Sequence, residues 1–293
     1  MPNTINQVTT YLSSIIDAIY QQQSVSSVLD AANSLVRPVE NNPSHVQIPS
    51  LAFDEGLAPY NKESGFDAGT VALTWEILKL TQDRGRSFSV DAVDNIETLG
   101  IILANMAKEF IRTKVAPEVD AYRFAKYATK AGTKVEGTLD KGTITDALDT
   151  AFAKLRDLEV GNENLILFMS NEAYGALTAA CAGKTTPLTR KVDTGLDYWN
   201  STVIKTVPAD RFKTTVTTST KGFQPGKTGI NFLLVDKGSP VQVVKHSANR
   251  LFAPGENLNA DAWKWDYRIY HDAFVPKNKV NGLYINSVAG VSA

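Results

Sequence analysis

The sequence predicts an α+β chain without a catalytic centre, and three observations carry that prediction. Apolar residues alternate with others at a period of two over 71–78 and 263–271, as in half-buried strands. They recur at three- and four-residue steps over 99–111 and 144–155, as on the inner stripe of a helix. No group of residues shows the spacing of a nucleophile, a metal site or a phosphate loop.

The chain has 293 residues, room for one large or two modest domains with a sizeable core. Hydrophobic residues make up 43% and charged residues 21%, which suits a globular chain and argues against wholesale disorder. Thirty Lys and Arg stand against 31 Asp and Glu, a formal net charge of -1, so no global basic field exists to hold nucleic acid by counterion release. A container that encloses nucleic acid without gripping it is not excluded by this balance. The single cysteine, Cys181, allows no intrachain disulfide and suits a reducing cytoplasm. The first twenty residues lack a basic n-region and a continuous apolar run, so neither export nor a membrane span is expected.

Taken in order, Ile5, Val8, Leu12, Ile15, Ile16 and Ile19 mark a short amphipathic helix. A polar, proline-containing stretch follows and reads as an extended arm. Residues 46–80 read as two strands around a turn-rich tip, GLAPYNKESGFDAG, which makes a long hairpin. Asp94 and Glu97 form a capping box for the strongest helix, which carries Leu99, Ile102, Leu103, Met106, Phe110 and Ile111 up to Val115. Pro117 then either kinks that helix or opens a second one containing Val119, Tyr122 and Tyr127.

A second domain is expected to begin with a helix over 143–158, whose stripe is Ile144, Leu148, Phe152 and Leu155. LILFMS reads as a buried strand, and Asn171 as the cap of a short helix containing Tyr174, Leu177 and Cys181. VIKTVPADRF, INFLLVDKGS and PVQVVKHS are strand candidates. ADAWKWDYRIYHDAFV reads as a long strand with Trp263, Trp265, Tyr267, Ile269 and His271 on one face, and GLYINSV as a short final strand.

Each candidate site is weighed against a plain structural role. KGFQPGKTG fails as a Walker A loop, because Lys221 stands where the first glycine belongs and an apolar strand follows where a helix should start. His45, His246 and His271 lack metal-ligand spacing, and no GxSxG elbow accompanies them. His271 reads as a packed aromatic, Cys181 as a small hydrophobe, and the tryptophan-rich strand as core in preference to a base-stacking platform. The stretch TQDRGRSFSVDAVDN is either a solvated corner or a set of ion pairs to a neighbouring subunit.

In their order and spacing these segments resemble the major capsid proteins of tailed bacteriophages, the HK97-like fold family. The segments that carry the resemblance are DRGRSFSVDAVDN, placed directly before LGIILANMAKEFIRTKVAPEVDAYRFAKYA, and the later VPADRF, INFLLVD and DYRIYHDAFV. The resemblance implies an N-terminal arm over 1–45, an extended loop hairpin over 46–92, a peripheral domain over 93–137 and 250–293 with a long spine helix, and an axial domain over 138–249. Arm and loop would reach across neighbours.

It further implies a structural protein, not an enzyme, that self-assembles through hexamers and pentamers into an icosahedral head around double-stranded DNA. No catalytic, cofactor-binding or metal residues are expected, and no membrane contact. Expected partners are further copies of the chain, a portal, and a separate scaffolding protein, with DNA held without sequence specificity. Assembly in the host bacterial cytoplasm into the virion capsid goes with this. Candidate inter-subunit residues are Lys62 at the hairpin tip and Arg84, Arg86, Asp91 and Asp94 at its base. An encapsulin-type compartment shell is the alternative.

Overall fold

The computed structural model of the protein describes residues 20, 23–39, 42–53, 56–58, 60, 62, 66, 70–93, 101–181, 189–191, 196–257 and 260–288. The helix expected over 5–19 and the Asp94–Glu97 capping box lie outside the described residues.

A 3-10 segment, Ser26–Leu35, leads into β1 (Arg37–Val39), β2 (Asn42–Phe53), β3 (Val71–Lys79) and β4 (Gln82–Asp91). β2 and β3 pair antiparallel from His45↔Lys79 to Phe53↔Val71, the long hairpin that alternation predicted. Its root is fixed by one face: Val46, Ile48 and Leu80 are buried against Val241 and Val243, with Leu78 packed alongside. β4 departs from expectation. Residues 82–91 are not a solvated corner of the hairpin but a strand of a different sheet, paired with residues 262–271. Arginines at two of its alternate positions, Arg84 and Arg86, hid the period-two pattern from a hydrophobicity reading.

The spine helix runs as α1 (Ile101–Phe110), a π-helical turn (Ile111–Val115) and α2 (Ala116–Lys130). Pro117 sits in the first turn of α2, directly after the π-turn. A first turn can spare the missing proline N–H, so of the two expected outcomes the structure has the second: α2 opens around Pro117 and continues from the π-turn without a gap in the chain. Ala107, Ile111, Val115 and Val119 pack on Trp265, Tyr267 and Ile269.

After β5 (Thr133–Glu136) come α3 (Ile144–Asp157), β6 (Leu165–Ser170) and α4 (Asn171–Cys181). Ile144, Leu148, Phe152 and Leu155 are all fully buried, as their spacing predicted. The cap of α4 is Ser170, not Asn171: its Oγ accepts the Ala173 N–H at 3.1 Å, and Asn171 already belongs to the helix. The remaining strands are β7 (Thr189–Lys191), β8 (Leu196–Trp199), β9 (Thr202–Val207), β10 (Val216–Ser219), β11 (Gly222–Pro225), β12 (Ile230–Asp236), β13 (Val241–Phe252), β14 (Ala262–Phe274) and β15 (Leu283–Ser287). The first half of KGFQPGKTG is thus strand, β11, paired with β10 in a small hairpin.

Seven strands form one mixed sheet in the order β5-β15-β12-β6-β9-β8-β7, and β13-β14-β4 form a second sheet. The large sheet is covered on both faces, which explains the unbroken apolar runs in β6 and β12. Leu165, Leu167, Met169, Phe232 and Leu234 face α3 and α4. The alternate residues Ile166, Phe168, Leu233 and Val235 face Phe124, Tyr127 and Ala128 of α2. β15 lies between β5 and β12. The division that grouped all of 250–293 with the spine helix therefore needs correcting: 283–287 complete the large sheet, because Leu283, Tyr284 and Ile285 each fill one of its two cores.

Candidate inter-subunit interface

Two features of the body and hairpin lack the closed, saturated character of the two cores, and a third fixes the segment that precedes the hairpin. The first is the outer face of the hairpin. Residues paired across β2 and β3 share a face, so Leu51, Val71, Leu73, Trp75 and Ile77 lie together. Leu51 is 58% exposed, Leu73 54% and Ile77 59%, while the opposite face at the root is buried. β3 is also the edge of its three-stranded sheet, so its outer backbone groups are open to another strand. Near the tip Tyr60 and Phe66 meet at 4.9 Å between ring centroids, yet Phe66 remains 88% exposed.

The second feature is a cleft of about 460 Å³ between β4, the spine helix and the β10–β11 turn. Phe88, Phe110, Val119, Tyr267 and Ile269 form its apolar walls, and Arg84, Arg86, Lys114 and Lys221 stand around them. Arg84 donates Nε to Glu118 Oε1 at 2.6 Å and Nη2 to the Ser219 carbonyl at 2.6 Å. Arg86 donates to the Thr220 carbonyl at 3.2 Å. Both arginines named from the sequence are therefore used within the chain, tying β4 to the β10–β11 turn.

His271 also lines the cleft and is buried, edge-on to Tyr122, its Nδ1 without a hydrogen-bond partner among the described residues. Burial first, then the Arg123 and Arg84 charges, pushes its imidazole down to about 3, so it is neutral at pH 7. Its place on the inner face of β14 is the one expected from the alternation.

The third feature anchors the arm, and sequence reasoning missed it. Asp120 of α2 is fully buried and accepts hydrogen bonds from Ser24 Oγ at 2.6 Å, Val25 N at 3.0 Å and Ser26 Oγ at 2.7 Å. Arg211 reaches the same carboxylate at 3.3 Å. One turn on, buried Arg123 donates to Ser26 Oγ at 3.0 Å and pairs with Asp30 at 3.3 Å. Tyr20 packs close by, its phenol pushed up to about 12, chiefly by burial. The available signal was two opposite charges at 120 and 123 inside a helix stretch whose neighbours Val119, Phe124 and Tyr127 are all core.

Of the other residues singled out, Lys62 is exposed in a turn at the hairpin tip, and Asp91 accepts the Val93 N–H at 2.9 Å. Asp94 lies outside the described residues. Cys181 is half-buried against the α3–α4 core. Among the described residues no three His, Cys, Asp or Glu cluster as metal ligands, and no helix is long and apolar enough to cross a membrane.

No family model and no curated protein matches the sequence. Solved structures do match. The capsid structure of cyanophage P-SCSP1u superposes with a TM-score of 0.63 at 11% identity, covering 89% of this chain and 87% of that one. The mature capsid of bacteriophage PhiM1 gives 0.59 at 12% identity over 84% and 83%. A virus-like particle from Pyrococcus furiosus gives 0.54 at 10% identity over 94% and 97%. The shared architecture is the HK97-like fold.

Proposed function

We propose that the protein is a major capsid protein, a structural subunit that assembles with copies of itself, through hexamers and pentamers, into an icosahedral phage head around double-stranded DNA. The observation that carries the proposal is the apolar strip Leu51, Val71, Leu73, Trp75 and Ile77 on a projecting, open-edged hairpin. A monomer gains nothing from exposing such a strip, whereas a neighbour that covers it gains about 25 cal/mol for each Å² buried. The likeness to capsid structures across most of the chain supports the same reading.

In this reading the arm runs to about residue 45 and the hairpin is β2–β3. The spine helix with β13, β14 and β4 forms the peripheral unit, and the large sheet with α3 and α4 the axial one. Hexamers and pentamers follow from the closed symmetry that such shells require. A scaffolding protein and a portal are proposed partners, and DNA is enclosed without base-specific contact, as a near-neutral chain suits.

Expression of the chain, alone and with its scaffold, followed by electron microscopy tests the proposal. Closed shells are expected from the wild type. L73D/I77K is expected to give folded, unassembled subunits, because both side chains are exposed in the single chain. Wild-type protein that stays monomeric under every assembly condition overturns the reading. The virus-like particle among the similar structures favours one second reading, a compartment shell; particles enclosing a single enzyme in place of DNA would establish it.

A further inference from the structure

We infer that the cleft between β4, the spine helix and the β10–β11 turn is a binding site for a small amphipathic anion, a carboxylate carried on an aliphatic or aromatic body. The inference goes beyond self-assembly and does not depend on it.

Small-molecule sites combine apolar walls with a few convergent polar groups in a space of about 300–1,000 Å³. The cleft has each part. It holds about 460 Å³ and is walled by Phe88, Phe110, Val119, Tyr267 and Ile269. Behind these, Trp265 stacks on Phe88 at 5.8 Å and meets Phe110 edge-on at 5.9 Å between ring centroids. Packed core therefore backs the wall and keeps the space open.

The other side is held by hydrogen bonds in place of packing. Arg84 and Arg86 tie β4 to the β10–β11 turn through the Ser219 and Thr220 carbonyls, and Arg84 ties β4 to Glu118 on the spine helix. The space is thus shaped before a ligand arrives, which lowers the ordering cost of binding.

The polar groups choose the sign of the ligand. Of the carboxylates that line the cleft, Glu118 holds Arg84 and Asp83 holds Arg268. Arg86, Lys114 and Lys221 have no carboxylate partner among the described residues. Three cations around an apolar hollow favour an anionic head at the rim and disfavour a cationic one. His271 supplies a further polar group: it is 2% exposed, lines the cleft, and its Nδ1 has no hydrogen-bond partner among the described residues. An unpaired buried nitrogen is costly, and a polar atom on the ligand's body would relieve it.

The test is calorimetric titration of the full-length chain with dodecanoate and, as its charge-reversed counterpart, dodecyltrimethylammonium. Dodecanoate is expected to bind once per chain and about tenfold more tightly than the ammonium, as several exposed charges acting together allow. K114E/K221E changes two exposed side chains and should invert that order. Dodecanoate brominated along its tail locates the site, because bromine quenches the fluorescence of a tryptophan that it approaches. The quenching should be lost in W265F and kept in W75F, whose indole lies on the hairpin strip. Equal affinity for the two headgroups, an order that K114E/K221E leaves unchanged, quenching that follows Trp75, or no binding of either compound overturns the inference. The charge-reversal arm touches no core residue, so it decides the matter if W265F fails to fold. Whether the same chain forms shells bears on the proposed function alone, so the two readings fail separately.

Discussion

Ser26 donates its hydroxyl to Asp120 at 2.7 Å across 94 residues of sequence, and the same oxygen accepts from Arg123 at 3.0 Å. One serine therefore joins two opposite charges that are both fully buried in α2. A buried carboxylate in this setting is stable only because donors surround it, and the donors come from the arm. The arm's anchorage and the helix's charges depend on each other.

Removing the carboxylate exposes that dependence. Asp120→Ala leaves Arg211 without its buried anion and strands the Ser24 and Ser26 hydroxyls, so a loss of about 3–5 kcal/mol is expected in urea unfolding. Limited proteolysis within residues 20–30 should accelerate in the same variant. Unchanged stability together with an intact arm would show that packing alone holds the segment.

His271 gives the protein an acid limit. Its folded imidazole titrates near 3, below the usual value of about 6.5, because burial disfavours the cation. Between those values the unfolded chain binds a proton that the folded chain refuses. Stability from this group is thus complete above about pH 6.5 and falls as the pH drops towards 3, by up to about 1.4 kcal/mol per unit. His271→Phe keeps a ring against Tyr122 and should flatten that part of the stability-against-pH curve, measured by denaturant melts from pH 7 to pH 4.

The double-sided sheet sets the largest single-residue costs. Phe152 of α3 is 1% exposed and packs in the core of Leu165, Leu167 and Leu234. Phe152→Ala removes most of a ring from a site that cannot collapse against a rigid sheet, and about 3–5 kcal/mol is expected in chemical denaturation.

These elements differ in how far the sequence disclosed them. Ile144, Leu148, Phe152 and Leu155 announce α3 because one helix face meets one sheet, and spacing alone records that. β6 and β12 are legible as buried strands because both faces are covered, which leaves no polar break. β4 was not legible: its alternate positions include the half-buried Arg84 and the exposed Arg86, whose partners Glu118, Ser219 and Thr220 are over thirty residues away. The Asp120–Arg123 anchor was hidden for the same reason, since a buried charge reads as a surface one until its partners are known. The place of β15 depends on pairing between distant strands, and no local pattern in LYINS distinguishes one sheet from another.

Arg84 offers the sharpest test of that hidden strand. Its guanidinium holds Glu118 and the Ser219 carbonyl at once, each at 2.6 Å, from a side chain 29% exposed. A planar fork reaches two acceptors in fixed directions, whereas an ammonium on a flexible stem does not. Arg84→Lys keeps the charge but loses one of the two bonds, so about 1 kcal/mol of stability should go. The loss should be local: the β10–β11 turn is tied to the body by Arg84 and Arg86, so amide exchange over Val216–Pro225 should quicken while the large sheet stays protected. Uniform quickening across the chain, or none, would mean that the turn is held by something other than these arginines.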